Sequence, residues 1–384
     1  MYKIFKIIFF SFFGFLFLFT KEISAEEKIK IGLLVPITGD DKELGQQIVK
    51  STRIALNDIN EERLEIHLKD TNSNPNKTLK SALELKQLGV KIVIGPVFHK
   101  SLTYLEEIEE ITFLSLTNKT LDLPKNVVSG GINATSQLST IKKFIKLNEI
   151  KETIILTPKA DYENEIKKAI KNSKIKILKH HIYSAEPTKL TEQIEKITDY
   201  KTRKQNLEDE KKRVENSELV DKEKLLEKLD KIYTIGDVNF DSVIISDFNE
   251  NLKSIITSLL YTDVSPEKKY IITFNQWFNE SLLLDETIQP IYYPSINQKN
   301  LENFKNRFKE EFNKSPSYLS LLSYDFMGLV YYLSLKNDLK NTSTLFKNKN
   351  TFKGKIGIFD VENNKINHRL NFYKIENKVL KEIF

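Results

Sequence analysis

The chain has no cysteine among its 384 residues. That excludes disulfides, a thiol nucleophile and a lipid-modified cysteine, so an exported form would not be a lipoprotein. Histidine is scarce, with five in all, and His180-His181 is the only adjacent pair. Neighbours on a strand point to opposite faces, so these two are badly placed to share a metal, and no metal site is expected. The sequence lacks a G-x-S-x-G elbow, H-E-x-x-H, G-x-x-x-x-G-K and G-x-G-x-x-G, which leaves no recognisable enzyme signature. The first turn, Pro36-Ile37-Thr38-Gly39-Asp40, puts an acid where a dinucleotide phosphate would need bare backbone, so no cofactor is expected. Lys and Arg number 59 against 53 acids, and the net charge of +6 is interspersed, which gives no nucleic-acid footprint.

What is present begins with an export signature. Lys3 and Lys6 precede an apolar run from Ile7 to Phe19, and Lys21-Glu22 and Ile23-Ser24-Ala25 follow. The run is short of the roughly 20 residues that span a bilayer. A basic start, short apolar centre and small residue at the cut read as a signal peptide over residues 1–25. An uncleaved N-terminal anchor is the alternative. No later run approaches spanning length, so the mature chain is expected in the periplasm without membrane insertion.

From Lys30 the pattern alternates. Ile31 to Val35 reads as a buried strand, and a helix opened by Thr38-Gly39 and Gly45 runs to Asn60. A strand from Leu64 to Leu68 ends at Asp70, Asn74-Pro75 starts a second helix, and Val90 to Ile94 is a third strand closed by Gly95-Pro96. A helix to about Glu110 and strands at Ile111 to Leu116 and Val127 to Ser129 follow. Strands alternating with helices imply a parallel sheet covered on both faces, with ligands beyond the strands' carboxyl ends. Thr38, Asp70 and Ser101 fall there.

After Gly130-Gly131 a second βα set runs to Phe274. The length is too great for one ordinary α/β core, so the expected architecture is two Rossmann-like lobes with parallel sheets and a three-crossover hinge. The expected first lobe is residues 27–133 plus 291–343, and the second is 134–290 plus 344–384. Residues 201–231 break the rhythm with ten basic and nine acidic side chains and no Gly or Pro. They read as a charged helical hairpin reversing at Asn216-Ser217, either a solvated insertion or an arm that contacts another protein.

Several residues are candidates for binding. Ser101, at the start of a helix after a strand, could hold an anion or simply cap that helix. Ser115 and Thr117 could add hydroxyls to the same edge or serve a turn. Tyr162 could close over a ligand from the second lobe or pack. Trp277, the only tryptophan, suits an interface or lobe packing. Tyr324-Asp325 is read as a hinge hydrogen bond, with a ligand contact as the alternative.

These elements together resemble the leucine-binding-protein-like, type I periplasmic binding family. The likeness lies in Ile31 to Gly39 with Gly45, Asp70-Thr71-Asn72-Ser73-Asn74-Pro75, Ile94-Gly95-Pro96 with Ser101, Leu114-Ser115 and Tyr324-Asp325. Asn275-Gln276-Trp277-Phe278-Asn279-Glu280, the Phe304 to Phe312 helix and the charged insertion resemble the penicillin-binding protein activators within it. That resemblance implies a non-enzymatic regulator of cell-wall synthesis whose partner is an envelope protein such as a penicillin-binding protein. The alternative it implies is a receptor that hands amino acids or related small solutes to an ABC permease. Where an amino-acid receptor presents an acid to the ligand ammonium, this chain has Asn275 and Gln276, with Asp247 and Glu250 as substitutes.

Overall fold

The computed structural model describes residues 28–275, 284–336, 342 and 344–384. The signal-peptide reading of 1–25 and Trp277 lie outside the described residues.

Ile29–Val35 (β1) is buried on both faces: Ile31, Leu33 and Val35 enter one apolar cluster and Leu34 the other. Burying each such side chain contributes about 1.5–3 kcal/mol. Lys42–Ile59 (α1) follows, with Ile48, Ile54 and Ala55 turned to the core. Its first turn lies against the strand end, where a Cβ on Gly45 would fall 1.8 Å from the Pro36 carbonyl oxygen. Leu64–Asp70 (β2) leads to Pro75–Gln87 (α2), capped by the Asn74 carboxamide, which accepts the Lys77 N–H at 3.0 Å. Ile92–Ile94 (β3), Thr112–Ser115 (β4) and Val127–Ser129 (β5) complete a parallel set in the order β2-β1-β3-β4-β5.

The second half repeats this plan. Ala134–Leu147 (α3), Thr153–Pro158 (β6), Glu163–Ser173 (α4), Lys179–Tyr183 (β7) and Pro187–Ile197 (α5) come first. The charged segment is a helical hairpin, Tyr200–Glu215 (α6) and Lys222–Leu229 (α7), and its turn begins at Asn216-Ser217 as the sequence indicates. Ser242–Ile245 (β8), Asn249–Tyr261 (α8), Tyr270–Thr273 (β9) and Ile291–Ser295 (β10) give the order β7-β6-β8-β9-β10.

Gln298–Phe312 (α9) and Tyr318–Lys336 (α10) return to the first lobe, where Phe304, Phe308, Phe326 and Val330 join its core. Asn350–Lys353 (β11), Ile358–Glu362 (β12) and Lys365–Arg369 (β13) add an antiparallel meander beside β5 in the first sheet. Asn371–Glu376 (β14) and Val379–Glu382 (β15) close the second sheet beside β10. Two lobes and two parallel-dominated sheets are therefore present, as expected.

The expected lobe boundaries need correction. β10 pairs with β9 in the second sheet, so 291–295 does not belong to the first lobe, and β11 to β13 belong to the first lobe rather than the second. The chain crosses between the lobes near Gly130–Asn133, after Ser295 and at Leu370. Strand pairing between segments far apart in sequence sets these points, and local patterning does not report it. The expected helix to Glu110 is also absent. Two short 3₁₀ turns, His99–Leu102 and Leu105–Glu107, occupy that stretch.

Candidate binding cleft

The carboxyl ends of β3 and β4 open onto a cavity of about 740 Å³ on the first lobe. Leu44, Val97, Leu116, Ile132, Pro316 and Leu319 supply apolar wall, and Thr117 is part of it. The hinge passes close beneath, because a Cβ on Gly131 would come within 2.6 Å of the Leu116 and Thr117 carbonyl oxygens.

Most candidate side chains on this lobe are committed to the protein itself. The Thr38 hydroxyl and N–H both donate to Asp70. Burial pushes the Asp70 carboxyl up, but the Lys77 ammonium, the Thr38 hydroxyl and the Asn72 and Ile37 N–H groups outweigh it and hold the acid well below the usual carboxylate range. The Ser115 hydroxyl donates to the Pro96 carbonyl at 2.7 Å and accepts the Thr117 N–H at 3.2 Å. Thr117 in turn accepts the Lys119 N–H at 3.3 Å. Ser101 is 2 % exposed, its hydroxyl has no hydrogen-bond partner among the described residues, and it is not among those that line the cavity. It is the third residue of a 3₁₀ turn, so the α-helix start that its anion-holding and capping readings both require is not there.

On the second lobe, Asp247 is 3 % exposed and accepts the Tyr183 hydroxyl, its own neighbour Phe248 N–H at 2.8 Å, and a bond from Tyr162. Burial, then the Asp247 carboxylate, pushes both phenols up, so they remain donors. Tyr162 also sets its ring edge-on to Phe248 at 5.9 Å, packing within its own lobe. The Asn275 N–H donates to the Gln137 side chain at 2.7 Å, and its amide nitrogen lies 3.2 Å from the Ser295 hydroxyl. None of Tyr162, Asp247 and Asn275 lines the cavity on the first lobe.

The hinge reading of Tyr324-Asp325 is corrected as well. The Tyr324 hydroxyl donates to Asp58 at 2.5 Å within the first lobe. A two-pronged Arg307 contact at 2.6 and 2.7 Å holds that Asp58 carboxyl far below its ordinary range, with Tyr324 and Lys355 adding to the effect. Asp325 accepts the N–H groups of Lys355, Ile356 and Gly357, so it fixes the β11–β12 connection. Burial raises its pKa to about 6 against those three bonds.

The groups that do span the lobes were not singled out by sequence. Asn133 caps α3 and donates to the Ile366 carbonyl at 2.9 Å. His368 bonds the Gly130 carbonyl through Nε2 at 2.8 Å and donates its N–H to the Ser136 hydroxyl at 2.9 Å. Glu165, in the first turn of α4, accepts from the Thr120 N–H, the Leu121 N–H and the Thr120 hydroxyl at 2.6, 2.6 and 2.8 Å. Asn133-Ala134-Thr135-Ser136 carries a capping signal in the sequence. Glu165 and His368 carry none.

Two sheets of this order, joined by three crossings and meeting at their strands' carboxyl ends, define a type I periplasmic binding protein fold. Residues 28–202 match the family model described as periplasmic binding protein, in line with the resemblance drawn from the sequence. No curated protein matches the chain. Among solved structures, the C-domain of LpoA from Haemophilus influenzae, a regulator of PBP1A, superposes with a TM-score of 0.61 at 14% identity, covering 92% of this chain and 100% of that one. The leucine-binding protein LivK from Thermotoga maritima gives a TM-score of 0.57 at 16% identity, covering 93% and 98%. LivJ from Streptococcus pneumoniae, a branched-chain amino acid transporter substrate-binding protein solved with isoleucine, gives 0.54 at 17%, covering 93% and 99%. At these identities the likeness is one of fold. No helix among the described residues is long and apolar enough to cross a membrane.

Proposed function

We propose that the protein is a non-enzymatic binding module of the bacterial envelope, working outside the cytoplasm by contacting another protein of the cell-wall synthesis machinery. The α6–α7 arm carries this reading. It has a small core of its own, Leu207, Val214 and Leu229, with Leu225, Leu226 and Ile235 against it. Arg203 pins its base by donating to the carbonyls of Gly236, Thr198 and Thr262 and to the Thr234 hydroxyl. The turn then displays Leu219 and a fully exposed Val220, with exposed Tyr233 near the base. A folded, anchored projection with apolar side chains in solvent is suited to a protein partner. The internal use of Asp247 weighs against an amino-acid receptor, since that acid is already taken.

The experiment is affinity capture of purified penicillin-binding proteins from an envelope extract. The comparison is with a variant in which residues 206–231 are replaced by a short Gly-Ser turn. Arg203 is retained, and its carbonyl accepts the Ile235 N–H at 3.0 Å, so the two ends of the arm already meet. Loss of capture with an unchanged melting temperature supports the reading, and full capture by the variant removes the arm from it.

A second reading, a receptor serving an importer, is favoured by one observation, the 740 Å³ cavity at the strand ends. A thermal-shift screen of solutes tests it, since a ligand that binds only the folded state raises the melting temperature.

A further inference from the structure

The cavity on the first lobe has a charge pattern of its own. Its volume of about 740 Å³ lies within the roughly 300–1,000 Å³ of small-molecule sites. Among the described residues no carboxylate lines it, whereas three basic side chains do: His99, Lys119 and Lys305. Lys119 is half-buried and its ammonium makes no ion pair among the described residues, and the half-buried His99 ring has no hydrogen-bond partner among them. Lys305 is shared with Glu302, at 3.3 Å. An apolar chamber with a cationic rim repels an ammonium and attracts an anion, and the partial desolvation of the rim strengthens that preference. A zwitterionic amino acid would bring its positive group to a wall whose described residues offer no counter-charge.

We propose that this cavity binds a small carboxylate with an apolar body and no amino group. Its carboxylate meets Lys119, with Lys305 as the second cation, and its body lies against Val97, Leu116, Ile132 and Leu319. The proposal concerns the cavity itself and holds under either reading of the module, so failure of the arm experiment leaves it standing, and the reverse is also true.

The test is isothermal titration of the purified chain with four probes of one skeleton: 4-phenylbutanoate, 4-phenylbutan-1-ol, 4-phenylbutylamine and phenylalanine. The acid binds at least about tenfold more tightly than the alcohol, the difference expected of one partly buried charge pair, and the amine and phenylalanine bind more weakly still. Lys119→Met lowers affinity for the acid by about tenfold and leaves the alcohol unchanged, while Lys119→Arg retains the acid. Leu319→Trp, which fills the chamber, removes binding of both. Equal or tighter binding of the amine or of phenylalanine, acid affinity unchanged in Lys119→Met, or no probe binding at all would each overturn the proposal.

Discussion

Glu165 on the second lobe takes both the N–H and the hydroxyl of Thr120 on the first, at 2.6 and 2.8 Å. The same carboxylate accepts the Leu121 N–H. The three bonds join a helix start of the second lobe to the loop after β4 of the first, a non-covalent contact between the lobes in addition to the chain crossings.

Glu165→Ala should loosen that contact. Removing one acceptor orphans three donors in a part-buried place, at a cost of about 1–3 kcal/mol. Small-angle scattering is expected to show a larger or broader distribution of radii, with each lobe's own secondary structure unchanged. Identical scattering from variant and parent would show that the crossings alone hold the lobes.

His368 makes stability depend on acidity. Burial lowers its pKa from 6.5 to about 4, against the opposing bond to the Gly130 carbonyl. The folded protein keeps the ring neutral, so its contribution is complete above pH 6.5 and is lost as pH falls towards 4. The full difference is about 3 kcal/mol at 1.36 kcal/mol per unit. Denaturant titrations across that window should show the parent losing stability relative to His368→Gln.

Asp325 acts with the opposite sign. Its pKa is raised from 3.8 to about 6, so the folded form favours the protonated acid. Its contribution is complete below pH 3.8 and is lost as pH rises through 6. Asp325→Asn should therefore remove a stabilising contribution that grows on acidification from pH 7 to 4 and offsets the loss from His368. With both groups present the two slopes oppose each other, and the parent's profile in this range is flatter than that of the Asp325→Asn variant.

Arg203 should control the order of the arm. Arg203→Met leaves three carbonyls and the Thr234 hydroxyl without their donor, costing about 2–4 kcal/mol locally. Hydrogen exchange is expected to rise across 200–236 and to stay unchanged in β1 to β5. Uniform protection would place the anchor elsewhere, in the Leu207, Val214 and Leu229 cluster.

The alternating plan was legible because its signals are local. Ile31 to Val35 is a continuous apolar run, Asn74-Pro75 is a helix start, and Asn216-Ser217 interrupts two runs of helix formers. The membership of β10 and β13 was not, because it depends on pairings such as Lys365 with Ser129. Ser101 misled for a related reason: a 3₁₀ turn and an α-helix share the same starting residues, and packing of Leu102 and Leu105 into the core decides between them. Thr38, Ser115, Asp247 and Asn275 do lie at strand ends, yet their partners, Asp70, Pro96, Tyr183 and Gln137, come from elsewhere in the fold, which local sequence does not report.

The cavity wall Leu116 to Lys119 continues without a break into the residues that Glu165 grips. A guest that shifts this ribbon strains or relieves the clasp, and by reciprocity a change in lobe angle retunes how firmly the guest is held. Were the proposed guest to bind, its occupancy of one half would act as leverage on the other through the four residues Leu116 to Lys119.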